Sequence, residues 1–247
     1  MSASRVLVTG ASGFVGRHLV ADLQAAGQTV HGLDRPTAAD RETAPAWLRY
    51  RRELGIGAPG QAVELADLLA DERISAVYHL AGQSSAGASF ADPAGTVRAN
   101  LLGTLELLEA LRLLAGRNAT VPRLLVVGSG EEYGRAATER PCREDDPLQP
   151  VSPYGTSKAA ATQLCLQYHR GFGLPVLPVR AFNHTGPGQD QRFAFPSFAA
   201  QIAAIEAGRA EPVLRTGDLT PSRDFLDVRD VVAAYRTLVE GAEPGIL

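Results

Sequence analysis

Tyr154 and Lys158 stand four residues apart in Tyr154-Gly155-Thr156-Ser157-Lys158, a spacing that puts both side chains on one face of a helix. A phenol with an ordinary pKa of about 10 is a poor proton shuttle at neutral pH. A neighbouring ammonium that stabilises the phenolate is expected to lower that value, making proton transfer to or from a substrate oxygen feasible. The basic composition singles out the same position. Of 24 basic residues, Lys158 is the only lysine and all others are arginine. A general bias towards arginine accounts for the others, whereas Lys158 marks a place where a compact ammonium is required. Ser129, in Val126-Val127-Gly128-Ser129-Gly130-Glu131-Glu132-Tyr133-Gly134, offers a hydroxyl to a reacting carbonyl. Glu131 in that loop could be a base, a hydroxyl-binding group or a plain loop carboxylate. The competing reading of Tyr154 and Lys158 is an exposed surface pair, and the segment at the N-terminus weighs against it.

That segment is Gly10-Ala11-Ser12-Gly13-Phe14-Val15-Gly16, between an apolar strand and an amphipathic helix. Gly10 permits a tight turn, Gly13 lets backbone approach a pyrophosphate, and Gly16 allows close packing of helix on strand. The helix start then offers unpaired N–H groups and a positive dipole end to phosphates. Ser12, Phe14 and Val15 complete the expected cofactor contacts. Asp34, at the end of the second strand, is where a carboxylate would hold the adenosine ribose and favour NAD. Arg35 beside it, or Arg17, could instead grip a 2′-phosphate. The choice between NAD and NADP is open at this point.

The elements that must carry these groups alternate. Strands are expected at Arg5–Thr9, Gln28–Leu33, Ala76–Leu80, Arg123–Val127 and Val176–Phe182, with a weaker one near Trp47–Leu54. Helices are expected at Phe14–Ala26, Ala62–Leu69, Pro93–Ala115, Pro153–Arg170, Pro196–Ala207 and Val228–Glu240. Strands alternating with helices of this length imply a doubly wound parallel α/β sheet covered on both faces. Residues 1–182 read as a dinucleotide-binding Rossmann domain. Residues 183–247 read as a partial substrate-binding region, interleaved with the last Rossmann elements. The apolar strand start Gly245-Ile246-Leu247 leads to the expectation of a truncated chain.

The 247 residues are 45% hydrophobic and 21% charged, with a formal charge of −3, so no basic field exists to attract nucleic acid or anionic lipid. The apolar run Leu101–Ala115 is interrupted by Glu106, Glu109 and Arg112 and cannot span a membrane. Two cysteines, Cys142 and Cys165, cannot staple a secreted fold, and no secretory signal is evident. A cytoplasmic location is expected. His18, His31, His79, His169 and His184 show no ligand spacing with carboxylates or cysteines, so no metal is expected.

Taken together, Gly10-x-x-Gly13-x-x-Gly16, His79-Leu80-Ala81-Gly82, Asn100, Ser129, Tyr154-x-x-x-Lys158 and Arg223-Asp224-Phe225 resemble an extended short-chain dehydrogenase/reductase acting on nucleotide sugars. Within that family the chain is most similar to the GDP-4-dehydro-6-deoxy-D-mannose reductases. The marks are Leu80-Ala81-Gly82-Gln83-Ser84, the Ser129–Gly134 loop, Arg180-Ala181-Phe182-Asn183-His184-Thr185-Gly186-Pro187-Gly188-Gln189, and Ser222–Val228. The resemblance implies NAD(P)H-dependent reduction of the C4 keto group of a GDP-4-dehydro-6-deoxy-hexose, giving GDP-D-rhamnose or a related sugar. Tyr154 would protonate the developing alkoxide, Ser129 would polarise the carbonyl, and Lys158 would hold the nicotinamide ribose and tune Tyr154. Leu80, Ala81 and Gly82 would line the cofactor, Gln83 and Ser84 the sugar pocket, and Asn183 and Arg223 the diphosphate. The family's usual acidic residue after the third strand has only Glu53 as a candidate here.

Rival activities share the scaffold. A GDP-mannose 4,6-dehydratase would use Glu131 as a base. Dehydratases carry a hydroxyl or acid where Gly130 stands, and Gly130 brings no such group. A C4 epimerase would use the same residues and differ only in letting the keto-sugar rotate. A catalytically silent member would be expected to lack Tyr154 or Lys158. The leucines of Leu101–Leu114 and the small residues Ala159–Ala161 suit a two-fold helical contact, and a homodimer is expected.

Overall fold

The computed structural model describes residues 4–34, 60–134, 140–220 and 222–245. The expected strand near Trp47–Leu54, Arg35 and Glu53 lie outside the described residues, as does the end of the Gly245–Leu247 segment. Five strands, β1 (Arg5–Thr9), β2 (Thr29–Leu33), β3 (Ala76–His79), β4 (Arg123–Val127) and β5 (Val176–Val179), form one sheet in the order β2-β1-β3-β4-β5. Every pairing is parallel, so all five C-terminal ends lie at one edge. The strands are nearly continuous runs of buried residues, mostly apolar, as expected of a sheet covered on both faces.

The covering helices are α1 (Phe14–Ala25), α2 (Ala62–Asp71), α3 (Ala86–Ser89), α4 (Pro93–Val97), α5 (Gly103–Gly116), α6 (Pro153–Phe172), α7 (Ala194–Glu206) and α8 (Val228–Gly241). One apolar layer joins α2, α5 and α6 through Leu65, Leu69, Leu108, Leu111, Leu114 and Cys165. The opposite layer joins α1 and α8 through Leu19, Leu23, Val228, Val232 and Tyr235. An Arg236–Asp22 ion pair of 2.8 Å also ties α8 to α1. Most of the α5 leucines are therefore accounted for by burial: Leu107, Leu108, Leu111 and Leu114 are all buried.

Two expected elements differ in detail. The helix expected over Pro93–Ala115 is interrupted: α4 passes through a π-helical turn at Arg98–Leu102 into α5. The strand expected over Val176–Phe182 stops at Val179. A separate strand β6 (Asn183–Thr185) then pairs in parallel with β7 (Phe225–Asp227) as a two-stranded sheet. The chain leaves the main sheet where the Gly128 and Gly130 amides bond the Val179 and Ala181 carbonyls, drawing it over the end of β4.

Candidate active site

The dinucleotide loop is built by contact between backbones. Gly10 has φ +70°, a conformation that strongly favours glycine, and a Cβ there would stand 2.9 Å from the Ala81 nitrogen. At Gly16 a Cβ would collide with the Gly10 carbonyl oxygen and lie 2.8 Å from two Ala11 backbone carbons. The first turn of α1 thus lies against the loop that precedes it. No side chain caps this helix, and its leading N–H groups are the unsatisfied donors that suit a pyrophosphate. The residues present therefore fit the expected dinucleotide. Asp34 accepts from the Ser12 amide at 2.8 Å and from the Ser12 hydroxyl, which brings the expected ribose carboxylate to the loop.

The second wall follows β3. Thr9 Oγ1 accepts from the Ala81 amide at 3.1 Å and contacts His79 Nδ1 at 2.7 Å. Burial, with Lys158 nearby, holds His79 neutral by pushing its pKa down to about 3. Leu80-Ala81-Gly82 is fixed in this way beside Gly10. Asn100, in the π-helical turn, then joins this wall to α6. Its Oδ1 accepts from the Gln83 amide at 2.8 Å, and its Nδ2 donates to Ser157 Oγ at 2.9 Å. A Cβ on Gly82 would lie 2.6 Å from that Oδ1. Asn100, singled out above only through the family resemblance, is held here as a link between the two walls, and its place in the π turn is invisible to periodicity.

Helix α6 starts with Ser152, whose hydroxyl accepts from the Gly155 amide at 3.0 Å, followed by Pro153 at the first helical position. This cap is strong for a helix start and sets Tyr154 and Lys158 beside the end of β4. The Lys158 ammonium donates to the Val127 carbonyl at 2.8 Å. Burial pushes its pKa down to about 8, opposed by the negative charge of Glu132. Ser129 lies beside the Tyr154 phenol and favours its ionised form. Ser129 is itself buried and caps the short turn Gly130–Glu132.

The expected lowering of the Tyr154 pKa is corrected by the structure. The phenol lies above its ordinary value because burial outweighs the favourable influence of Ser129, and Glu131 and Glu132 oppose the phenolate. The Lys158 ammonium is turned to the Val127 carbonyl instead. A raised value suits proton donation, because the proton stays on the phenol until a substrate oxygen becomes more basic.

The remaining expected residues are placed as follows. Glu131 is half-buried beside the Ser129 hydroxyl, to which its amide donates at 3.2 Å. Gln83 folds back on Ser85 through both ends of its amide, and Ser84 is exposed beside it. Asn183 donates to the Asp224 carbonyl at 3.3 Å, and the neighbouring Arg223 donates to the Ser222 carbonyl. Both are exposed. A Cβ on Gly130 would meet the Phe182 ring at 2.9 Å, so the ring occupies the space a side chain would need. Glu132, fully buried and paired with Arg180 at 3.0 Å, is not among the residues that sequence reasoning selects, although the Ser129-x-x-Glu132 spacing is that of a capping box.

A parallel sheet with a glycine-lined dinucleotide cradle, and a Ser-Tyr-Lys group at its C-terminal edge, defines a nicotinamide-dependent enzyme of the dehydrogenase/reductase class. Comparison with known proteins narrows this. The chain belongs to the NAD dependent epimerase/dehydratase family, whose model matches residues 6–246. It is 41% identical over 242 residues to the GDP-6-deoxy-D-mannose reductase of Pseudomonas aeruginosa, covering 98% of this chain and 72% of that protein. The structure of RMD from Pseudomonas aeruginosa complexed with NADPH matches with a TM-score of 0.77 and 40% identity, covering 98% of this chain and 76% of that one. The UDP-glucose 4-epimerase of Thermus thermophilus, solved with NAD, matches with a TM-score of 0.79 and 32% identity, covering 97% and 75%. The expected family, fold and NAD(P) dependence are borne out by these relatives. Among the described residues no helix is long and apolar enough to cross a membrane.

Proposed function

We propose that the protein is a GDP-4-dehydro-6-deoxy-D-mannose reductase, which reduces the C4 ketone of the sugar nucleotide with NAD(P)H. The observation that carries the chemistry is the convergence of Tyr154, Ser129 and Lys158 at the C-terminal edge of the sheet, with Tyr154 and Lys158 one helical turn apart on α6 and the Lys158 ammonium bonded to the Val127 carbonyl at 2.8 Å. The 41% identity to the Pseudomonas aeruginosa reductase carries the substrate.

A bound reduced nicotinamide supplies hydride to the carbonyl carbon. Gly10, Ser12, Gly13, Phe14, Val15 and Gly16 would hold its pyrophosphate side, Asp34 the adenosine ribose, and Leu80, Ala81 and Gly82 the opposite wall. Lys158 would hold the nicotinamide ribose. Its ammonium has three donors, so the bond to Val127 leaves capacity for ribose hydroxyls. Ser129 and Tyr154 orient the carbonyl oxygen, and Tyr154 gives its proton to that oxygen as negative charge develops. Because burial holds Tyr154 protonated, the donor is in the required state at neutral pH. Glu131, Gln83, Ser84, Asn183 and Arg223 would contact the sugar and diphosphate, an arginine being suited to bidentate phosphate binding.

Dehydration needs a further acid at the end of β4, and the packing of Gly130 against Phe182 favours reduction. The same proposal assigns residues 1–182 to cofactor binding and 183–247 to a partial substrate-binding region, a homodimer as the working state, and the cytoplasm as its location. The test uses purified protein with GDP-4-dehydro-6-deoxymannose and NADH or NADPH in one arm, and GDP-mannose with catalytic NADP in the other. Loss of reduced-nicotinamide absorbance in the first arm alone supports the reductase. A keto-sugar in the second arm without net cofactor change replaces it with a dehydratase.

A further inference from the structure

We propose that Glu132 is a positioning residue of the reaction centre: its buried carboxylate fixes the main chain of Ser129 and provides the fixed negative charge that the Lys158 ammonium faces. This rests on the reading of Ser129, Tyr154 and Lys158 given above.

The carboxylate is enclosed on three sides. Oε1 accepts from the Ser129 amide at 2.8 Å and from the Thr162 hydroxyl at 3.1 Å. Oε2 accepts from Arg180 Nε at 3.0 Å. Arg180 is itself held, donating to the Tyr133 hydroxyl at 3.0 Å and the Glu144 carbonyl at 2.9 Å. Glu132 is 0% exposed and the Arg180 side chain 6%, so neither charge is screened by solvent.

Consecutive residues at the end of β4 connect this group to the catalytic pair. The Val127 carbonyl accepts from Lys158. Oε1 of Glu132 occupies the space a Cβ on Gly128 would need. The next amide, that of Ser129, donates to the same oxygen. From the helix side, Tyr154, Lys158 and Thr162 follow at intervals of four on α6, one face of the helix. Thr162 brings that face to the carboxylate. Glu132 therefore joins the Ser129 loop and the Tyr154–Lys158 face through a single buried anion.

A buried ammonium is disfavoured by desolvation, and a nearby anion opposes that cost. Among the described residues, the titratable groups facing Lys158 are Glu132 from the 130–132 turn, His79 from β3, and Cys165 on its own helix, with Tyr154 beside it and Arg180 behind Glu132. His79 is held neutral, and burial pushes the Cys165 thiol up to about 12. Burial raises the Glu132 carboxyl above its ordinary value, and the Ser129 amide, Arg180 and Thr162 oppose that shift; as the partner of the Arg180 guanidinium it is the anion of this group, and it works in the direction of a charged Lys158.

Because Lys158 is the only lysine, protein labelled with 13C-lysine gives one side-chain Cε signal to titrate, with or without turnover. In the parent protein that signal should titrate near pH 8. Glu132→Gln keeps an acceptor for Ser129 and removes the charge. It should move the titration down by about one pH unit, with the alkaline limb of kcat moving alongside and kcat at pH 7.5 falling about threefold. Glu132→Gln leaves Arg180 unpaired, so Glu132→Gln/Arg180→Gln provides a neutral pair should the single variant not fold, with a downward shift also expected. A folded variant whose Lys158 titrates at the parent value overturns the proposal. If neither variant folds, the parent decides: a Lys158 already uncharged below pH 6.5 overturns it, and one titrating near pH 8 supports it. A parent that does not turn over the keto-sugar, with the Lys158 shift still present in the variants, refutes the reductase reading and leaves the Glu132–Lys158 coupling intact.

Discussion

Gly16→Ala tests whether the cofactor loop is held in shape by backbone contact. The added methyl would meet two Ala11 backbone carbons at 2.8 Å and the Gly10 carbonyl besides, where ordinary contact begins at 3.4 Å. Backbone must therefore move by more than about 0.6 Å, the Gly10 carbonyl oxygen being nearer still, and no flexible side chain is present to yield instead. Overpacking of this kind costs about 1–3 kcal/mol, and the better helix propensity of alanine returns up to about 1 kcal/mol. The net loss should be about 1–2 kcal/mol, or about 2–8 °C in Tm for a chain of this size. The displaced groups are the Gly10–Gly13 turn and the start of α1, so NADPH affinity should fall at least about tenfold, about 1.4 kcal/mol. Gly27→Ala is the control. Gly27 has φ +77° with nothing within 4 Å of an added Cβ. It carries only the left-handed backbone cost of about 1–2 kcal/mol, remote from the loop. Thermal unfolding and NADPH titration by fluorescence measure both variants. An unchanged Tm and unchanged NADPH affinity in Gly16→Ala would refute the packing argument, as would a loss of NADPH affinity in Gly27→Ala matching that of Gly16→Ala.

Tyr154→Phe should lower kcat by about 100-fold to 10,000-fold, the usual worth of a positioned proton donor, with NADPH affinity within threefold of the parent; stopped assays and NADPH titration check both. Lys158→Arg should also lose turnover, because a planar guanidinium cannot replace the compact ammonium between Val127 and the ribose site, and parent-like kcat in this variant would contradict its role. Asn100→Ala removes the bonds to the Gln83 amide and Ser157 hydroxyl and should lower both stability, by about 1–3 kcal/mol for the groups left unpaired, and kcat. His79 is neutral in the fold down to about pH 3 but protonates near pH 6.5 when unfolded. The unfolded chain therefore binds the extra proton, and this residue's contribution to stability is lost as pH falls from 6.5 towards 3, at up to about 1.4 kcal/mol per pH unit. His79→Asn should flatten that slope in urea unfolding between pH 6.5 and 4.5, and an unchanged slope would show that His79 is not its source.

Much of this arrangement is legible from local pattern. The β1–loop–α1 unit is written in contiguous residues, each glycine answering a steric demand at its own position. Tyr154 and Lys158 are readable because a four-residue spacing has one geometric meaning on a helix. What is not legible depends on distant partners. The break at Val179 follows from Ala181 bonding Gly130 and from β6 finding β7, about 40 residues further on; no local periodicity encodes a parallel pairing. The π turn that aims Asn100 keeps the apolar pattern of a regular helix. The direction of the Tyr154 pKa shift escapes the sequence because adjacency of Lys158 says nothing about where its ammonium is bonded. Glu132 reads as one of two loop acids until burial and Arg180 distinguish it from Glu131.

Transfer of label to the sugar tests the central chemical claim most directly. NADPH carrying deuterium at both C4 hydrogens of the nicotinamide is incubated with GDP-4-dehydro-6-deoxymannose and the protein, and the product is resolved by mass spectrometry and NMR. One deuterium bonded to C4 of a GDP-6-deoxyhexose, formed in step with NADPH oxidation and absent with Tyr154→Phe, is the expected result. Unlabelled product, or a keto-sugar made from GDP-mannose with no net cofactor consumption, would contradict the reductase.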